Sequence, residues 1–572
     1  MTLRWGRAHT KGRAVIEERL IALVRAAVVA AAGELILHGE PPEIELERPR
    51  QKEFGDFSTN VALALASASG KKPREVAQTI VENLPSSDFV SSVEVAGPGF
   101  INFHVTHGWL FDVLRNVIAR GEDYGRAQEA TGLSVQVEFV SANPTGPLHV
   151  GTARNAVLGD ALASVLQAAG HEVQREYYFN DAGRQMDLFA ESVEVRYLQA
   201  LGREAEMPEE GYRGEYLVET GGDLAAAFGD SLADLPQEER RAQLLAEGSQ
   251  RVLEGIRATL DNLGVHFDSY FSERTLHETG AITDAVEKLK SSGHICEKDG
   301  AVWFRSTDYG DDKDRVLIRS NGEPTYFAAD CAYVVNKMSR GFDRLIYVWG
   351  ADHHGTVKRL EGAAEALGLD QACVEVVLYQ MVNLLRGGQP VKMSKRTGEI
   401  ITLDELLEEV GPDAARFTLL SQSPDSVINF DIVEVTRQTL DNPVYYVQYA
   451  HARIASILRN AAAKGIELTP LEDVDLSLLV SEAEVDLLRE IAEFPEQVVV
   501  AAELRAPHRL THYARLLAER FHHFYAECRV VTEDEELTQA RLWLVAGAKQ
   551  TVANVLDILG VSAPASMERT DE

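Results

Sequence analysis

Two short stretches of this chain carry side chains suited to polyphosphate chemistry. In Pro144-Thr145-Gly146-Pro147-Leu148-His149-Val150-Gly151 a proline-broken loop runs into a helical pattern. A helix N-terminus attracts anions through its N–H groups and its dipole. His149 could donate a ring N–H to a phosphate oxygen there, and Gly151, lacking a Cβ, would let a nucleotide approach the helix start. A capped turn bearing a surface histidine would look the same. In Val391-Lys392-Met393-Ser394-Lys395-Arg396-Thr397-Gly398, Lys392, Lys395 and Arg396 gather cations on a predicted loop, which suits charge developing on a leaving polyphosphate. A merely solvated basic loop is the alternative. Neither stretch is specific alone; the two in this order, with an α/β pattern between them, are far more so.

The elements that must position these stretches show in the periodicity. Val135, Val137 and Phe139 alternate with Gln136, Glu138 and Val140, a strand of period two. After the loop, Val150, Ala153, Val157, Ala161, Val165 and Ala168 recur at helical spacing up to Gly170, the expected C-cap glycine. A second strand pattern follows at 172–179, giving the strand, loop, helix and strand of a Rossmann-type doubly wound α/β domain. Strand character returns at 345–350. This domain is expected over 130–430, with the acidic, alanine-rich stretch at about 190–310 read as a helical insertion. Residues 1–115 open with a helical pattern and close on a Gly-Pro turn into an alternating strand, which predicts an N-terminal α+β domain. From 432 to 572 the patterns are helical, with Asn442-Pro443 as one helix start and about the last ten residues disordered.

A chain of 572 residues exceeds what one core organises, so several domains are expected. With 45% hydrophobic and 25% charged residues it has the composition of a globular protein rather than a disordered one. No apolar run is long enough to span a bilayer, and the N-terminus lacks the apolar core of an export signal, so a cytoplasmic protein with no membrane association is predicted. Cys296, Cys331, Cys373 and Cys528 stand singly, without the close pairs of zinc or redox motifs, and no metal site is predicted. The net charge of -33 opposes non-specific binding to polyanions; nucleic acid would need a local Lys/Arg groove within an acidic envelope.

Taken together, His149-Val150-Gly151-Thr152 and Lys392-Met393-Ser394-Lys395 resemble the two signatures of class I aminoacyl-tRNA synthetases. Their surroundings resemble the arginyl-tRNA synthetases in particular: EFVSANPTGPLHVG from Glu138, YYFNDAGRQ from Tyr177, PTYFAAD ending at Asp330, YVWGADHHG ending at Gly355, and DNPVYYVQYAHAR from Asp441. GDFSTN at 55–60, GPGFINF at 97–103 and LDILGVSAP near the C-terminus extend the likeness over nearly the whole chain, the acidic insertion least. One departure is that Thr152 stands where the family's first signature usually ends in a second histidine.

The resemblance implies that the carboxylate of arginine attacks the α-phosphorus of ATP, that pyrophosphate leaves, and that the arginyl-adenylate passes its acyl group to tRNA. His149, Gly151, Thr152, Lys392 and Lys395 would serve catalysis, and Pro147, Gly350, Asp352, Met393 and Ser394 would join them around ATP, with Mg2+ accompanying the nucleotide. A planar guanidinium calls for carboxylates, and Glu138 and Asp330 fit that need. Tyr326 would pack beside the substrate side chain, while Ser141, Asn143 and His353 would hold its α-amino and α-carboxyl groups. Glu138 pairing with a neighbouring arginine, and Tyr326 serving the core, are the alternatives. The C-terminal helices would be an anticodon-binding domain, with Tyr445, Tyr449 and Arg453 as RNA contacts; Phe100 and Asn102 would touch the outer corner of the tRNA. A monomer is expected, with tRNA specific for arginine, L-arginine and ATP as its partners. A shorter nucleotidyltransferase using the same His-x-Gly chemistry would have no need of the C-terminal helices, and a non-catalytic synthetase-like protein no need of His149 or the lysine loop.

Overall fold

The computed structural model describes residues 15–36, 41–49, 51–391 and 401–567. The alternating stretch forms β1 (Ser134–Glu138), followed by α1 (Val150–Ala168) and β2 (Glu172–Phe179). β3 (Ser269–Ser272), α2 (Tyr326–Ser339), β4 (Arg344–Gly350), α3 (His354–Ala366) and β5 (Val374–Tyr379) complete a parallel sheet in the order β5-β4-β1-β2-β3. Strand order reverses between β1 and β4, and ligands of open α/β sheets bind beyond the carboxyl ends of the strands at such a reversal.

Pattern and packing agree residue by residue. Val135 and Val137 of β1, with Ile346 and Val348 of β4, belong to the same buried core as Val157, Ala161 and Val165 of α1. Leu345 and Tyr347 pack on the other face with Val334 of α2 and Leu360 and Ala364 of α3. Each buried valine or isoleucine contributes on the order of 1.5–3 kcal/mol, so a one-residue slip of β1, which would exchange its faces, is strongly opposed. That register sends Glu138 toward α2. At the end of α1, Gly170 lies one residue beyond the C-cap, at φ +91°, and a Cβ there would sit 2.7 Å from the Glu129 carbonyl. Its N–H donates to Gln167 O at 2.9 Å and that of His171 to Leu166 O at 3.1 Å, closing the helix in a left-handed turn.

The N-terminal region sets helices Val15–Ala31, Val61–Ser69 and Pro73–Glu82 beside an antiparallel sheet in which Phe100–Val105 lies between Phe57–Thr59 and Val90–Ala96. The C-terminal region is helical: α4 (Pro443–Ala463), α5 (Glu482–Glu503), α6 (His508–Glu527) and α7 (Glu535–Ile558). Asn442 caps α4, its side chain accepting from the Val444 N–H at 3.2 Å with Pro443 in the first turn.

The stretch at 190–310 departs from the expected helical insertion. Helices Arg184–Ala200, Glu215–Phe228 and Gln237–Asn262 are there, but β3 follows as the edge of the central sheet, and Ile295–Lys298, Ala301–Phe304 and Arg315–Ile318 make a separate antiparallel sheet. β3 is four residues long and half-buried on both faces, too short for its period to show in sequence. Cys296, Cys331, Cys373 and Cys528 are free thiols, and among the described residues no helix is long and apolar enough to cross a membrane.

Candidate active site

Beyond Glu138, the last residue of β1, the chain makes a strained turn. Val140 and Ser141 adopt φ of +64° and +45°, a region that costs a non-glycine residue roughly 1–3 kcal/mol and is rarest for a β-branched one. Neighbours hold it. The Val140 N–H donates to Asn155 Oδ1 on α1 at 2.5 Å, Asn155 Nδ2 donates to the Val348 carbonyl of β4 at 2.8 Å, and the Tyr178 N–H donates to Ser141 Oγ at 3.3 Å. Further on, Tyr177 Oη donates to Ala142 O at 2.8 Å and Tyr216 Oη to Thr145 O at 2.5 Å. Asn143 donates to Gln185 Oε1 at 2.7 Å and accepts from the Asn180 N–H at 3.3 Å. The YYFNDAGRQ stretch therefore acts as the clamp of this loop.

The loop delivers His149 to the extended N-cap of α1, exposed, with Pro147 and Gly151 also exposed and Thr152 half-buried. A Cβ on Gly151 would lie 2.7 Å from Cε1 and 2.8 Å from Nδ1 of His149, so the bare glycine is what lets the ring fold over the helix start. The Val150 N–H donates to Ile401 O at 3.3 Å and the Thr152 N–H to His149 O at 2.8 Å. These two backbone groups are therefore already engaged within the protein. The Leu403 N–H donates to Leu148 O at 2.8 Å, so the segment that follows the lysine-rich stretch is bridged to the His149 strand end. Lys392, Met393, Ser394 and Lys395 themselves lie outside the described residues.

At the end of β4, Gly350 leads into a single turn at Ala351–His353. Asp352 folds back over Gly350, its Oδ1 2.5 Å from where a Cβ would stand. His353 is exposed, 3.7 Å from Asp352 Oδ2, with its ring 6.0 Å from that of Trp349.

Between the strand ends is an acidic recess. Asp330, on the first turns of α2, is half-buried, and its carboxyl is pushed up to about 7 by burial; Arg359 opposes this, while Glu273 and Glu138 add to it. Glu273 is 5% exposed and accepts a short hydrogen bond from Tyr178 Oη. Sequence reading missed Glu273, since no motif flags it and only the short β3 places it here. Tyr326, 59% exposed at the start of α2, is not a core residue.

Glu138 requires a correction. Its Oε2 accepts from Lys337 Nζ at 2.5 Å and its Oε1 from Ser141 Oγ at 3.1 Å. A carboxylate already paired with a buried lysine is poorly placed to grip a guanidinium through both oxygens.

In the C-terminal region Tyr445 and Tyr449 stack with centroids 6.0 Å apart at 9°, and the Arg453 guanidinium lies 5.5 Å from the Tyr449 ring and 4.2 Å from that of Tyr525. Tyr445 is only 8% exposed and lines a cleft of about 660 Å³ with Arg437, Gln448 and Met567. In the N-terminal sheet Asn102 is 4% exposed and accepts from Ser58 Oγ at 2.7 Å, which removes it from the surface expected to meet RNA; Phe100 is half-buried.

Comparison with known proteins fits this layout. Family models match in three places: the arginyl tRNA synthetase N terminal domain over 18–105, the class I (R) tRNA synthetase catalytic domain over 113–212 and 239–456, and the DALR anticodon binding domain over 447–567. An arginine–tRNA ligase of Moorella thermoacetica is 50% identical over 96% of this chain and 98% of its own. One of Desulforamulus reducens is 48% identical over 97% and 100%. The solved arginyl-tRNA synthetase of Thermus thermophilus, 26% identical, superposes with a TM-score of 0.73 over 97% of this chain and all of that one. With relatives this similar across almost its full length, the chain belongs to the arginyl-tRNA synthetases, class I enzymes that use ATP to join arginine to tRNA.

Proposed function

We propose that the acidic recess between β1, β3 and α2 reads the arginine side chain and that the loop from Ser141 to Thr152 places the reacting phosphate. The carrying observation is Asp330, a carboxyl pushed up to about 7 by burial and by the neighbouring Glu273 and Glu138, the latter at the end of β1. Asp330 and Glu273 take the guanidinium, with Tyr326 against its plane. Glu138, Ser141, Asn143 and His353 hold the α-amino and α-carboxyl groups, which brings the carboxylate toward the α-phosphorus of ATP over α1. Pro147, Gly350 and Asp352 line the nucleotide, while His149, Thr152, Lys392, Met393, Ser394 and Lys395 meet its phosphates. The adenylate then forms with loss of pyrophosphate, and the terminal ribose of tRNA takes the arginyl group, releasing AMP. Among the described residues no three His, Cys, Asp or Glu side chains are arranged to hold a metal, so Mg2+ would enter as the counter-ion of ATP, ligated by phosphate and water. Tyr449, Arg453 and Tyr525 face the anticodon arm and Phe100 the outer corner of the tRNA. The enzyme works as a monomer in the cytoplasm. ATP–pyrophosphate exchange with each amino acid in turn, with and without tRNA, tests this reading: exchange with arginine and only when tRNA is present supports it, and exchange with another amino acid sinks it.

Two quantitative expectations follow from the recess and the helix start. The guanidinium binds ionised Asp330, so binding below about pH 7 must displace a proton. The KM for arginine is expected to fall as pH rises, by up to about tenfold per unit between roughly pH 5.5 and 7, and to level off above. Initial rates over that range check this, and a flat profile would remove Asp330 from the substrate site. Gly151→Ala pushes the His149 ring aside, because the ring yields more easily than the helix backbone. We expect kcat to fall about tenfold or more with KM for arginine nearly unchanged, and thermal stability to hold, since alanine favours the helix by roughly 0.5–1 kcal/mol.

A further inference from the structure

The helix α2 carries Tyr326, Asp330, Tyr333 and Lys337, and its C-cap is Arg340, at spacings of four, three, four and three, one continuous stripe. That stripe lies across three residues level with one another on adjacent strands: Tyr347 of β4 opposite Glu138 of β1, and Glu138 opposite Glu176 of β2. Two buried carboxylates side by side on a parallel sheet repel each other, and each has its own cation from α2. Arg340 donates to both oxygens of Glu176, at 2.5 and 2.7 Å, and Tyr333 Oη donates to Glu176 as well. Lys337 donates to Glu138 at 2.5 Å, 1% exposed, its ammonium 4.4 Å above the Tyr333 ring and 4.0 Å above that of Tyr347.

The two pairs differ in what lies beyond them. Glu176 is fully buried and both its oxygens are taken within the protein. Glu138 is the last residue of its strand, and its other oxygen accepts from Ser141 Oγ on the substrate loop. A carboxylate has about four lone-pair sites, so one lysine and one serine leave it capacity for another donor. We infer that Lys337 is a positioning residue for the amino-acid substrate: it holds the Glu138 carboxylate turned toward Ser141, so that Glu138 can receive the α-ammonium of arginine. This rests on the reading of Glu138 given above.

Without the lysine, Glu138 would stand in the recess with Glu273 and Asp330 and no cation of its own. The contact that orients the carboxylate toward the substrate loop would be gone, and a carboxylate turned away from that loop binds an ammonium poorly. Lys337→Met is therefore expected to act as Glu138→Gln does, and only through it. For the purified full-length enzyme with tRNA and ATP, each change should raise the KM for arginine about tenfold or more with kcat within about threefold. The double variant Glu138→Gln/Lys337→Met should be no worse than Glu138→Gln alone. Inhibition by 5-guanidinovalerate, which is arginine without its α-amino group, should be unchanged in all three.

The outcomes separate the two ideas. If Glu138→Gln raises KM but Lys337→Met does not, or if their effects multiply in the double variant, the inference fails and Lys337 is a packing residue. A lower KM in Lys337→Met would overturn it too, showing that the lysine competes with substrate for Glu138. If Glu138→Gln leaves the KM unchanged, or weakens 5-guanidinovalerate as much as arginine, the reading of Glu138 itself fails. Should Lys337→Met not fold alone, the comparison of Glu138→Gln with the neutral double variant decides, because equal KM values are required there.

Discussion

Asp330→Asn is expected to lower kcat/KM for arginine by about 10³-fold or more, roughly 4–5 kcal/mol of transition-state binding, the largest loss expected at any described position of the recess. The change keeps the shape of the side chain but presents an amide N–H to a cation that has only donors. Most of the loss should fall on KM, with the KM for ATP little altered. Discrimination against citrulline, the neutral isostere of arginine, should narrow at the same time, because that preference depends on a charge-assisted pair. The folded protein should not suffer. Burial raises the Asp330 carboxyl to about 7, so above that pH its ionisation opposes folding, and the neutral asparagine removes the penalty. Steady-state kinetics with both amino acids, together with thermal unfolding at about pH 8, test the claim. A variant that loses activity by unfolding, or one that keeps its preference over citrulline, would show that another group reads the guanidinium.

Arg416→Met carries the largest expected loss of stability, roughly 3–5 kcal/mol, for a reason distant from chemistry. Arg416 is 1% exposed and joins three parts of the chain. Its Nη2 donates to Asp160 on α1 at 2.5 Å, and its Nη1 to the carbonyls of Leu263 and Gly264 at 3.1 Å, just past the helix Gln237–Asn262. Its Nε donates to Leu559 O at 3.0 Å, at the end of α7. Methionine fills much of the volume but leaves these carbonyls without a donor, at about 1–3 kcal/mol for each that stays dry. Asp160 keeps its partner Arg175, whose Nε lies 3.0 Å away, so the loss is not that of a wholly abandoned charge. Urea unfolding followed separately by near-ultraviolet circular dichroism and by aminoacylation activity should show an early transition. If the midpoint moves by less than about 1 kcal/mol equivalent, the cost of burying the guanidinium equals what its bonds return.

The parts of this protein that were legible in its sequence are those in which side-chain type and local period say the same thing. β1, α1 and β2 could be placed because valines at every second position and then apolar residues at every third or fourth require one strand and one helix. Gly170 and Asn442-Pro443 marked helix ends by the backbone angles and donors those residues supply or lack. The family, and with it the reaction, was readable from His149, Lys392-Met393-Ser394-Lys395 and their surroundings. Tertiary structure alone decided how charges far apart in the chain are shared. Lys337 meets Glu138 across 199 residues, and Glu273 comes to Asp330 only because a four-residue edge strand carries it there. Asn102 was sorted from surface to interior by its pairing with Ser58, and of the two readings of Tyr326, substrate contact or core, its exposure at the start of α2 removed the core. The reason is physical: a period fixes which face of an element is apolar from its own residues, whereas the partner of a polar group is set by which elements the fold brings together, and no local pattern records it.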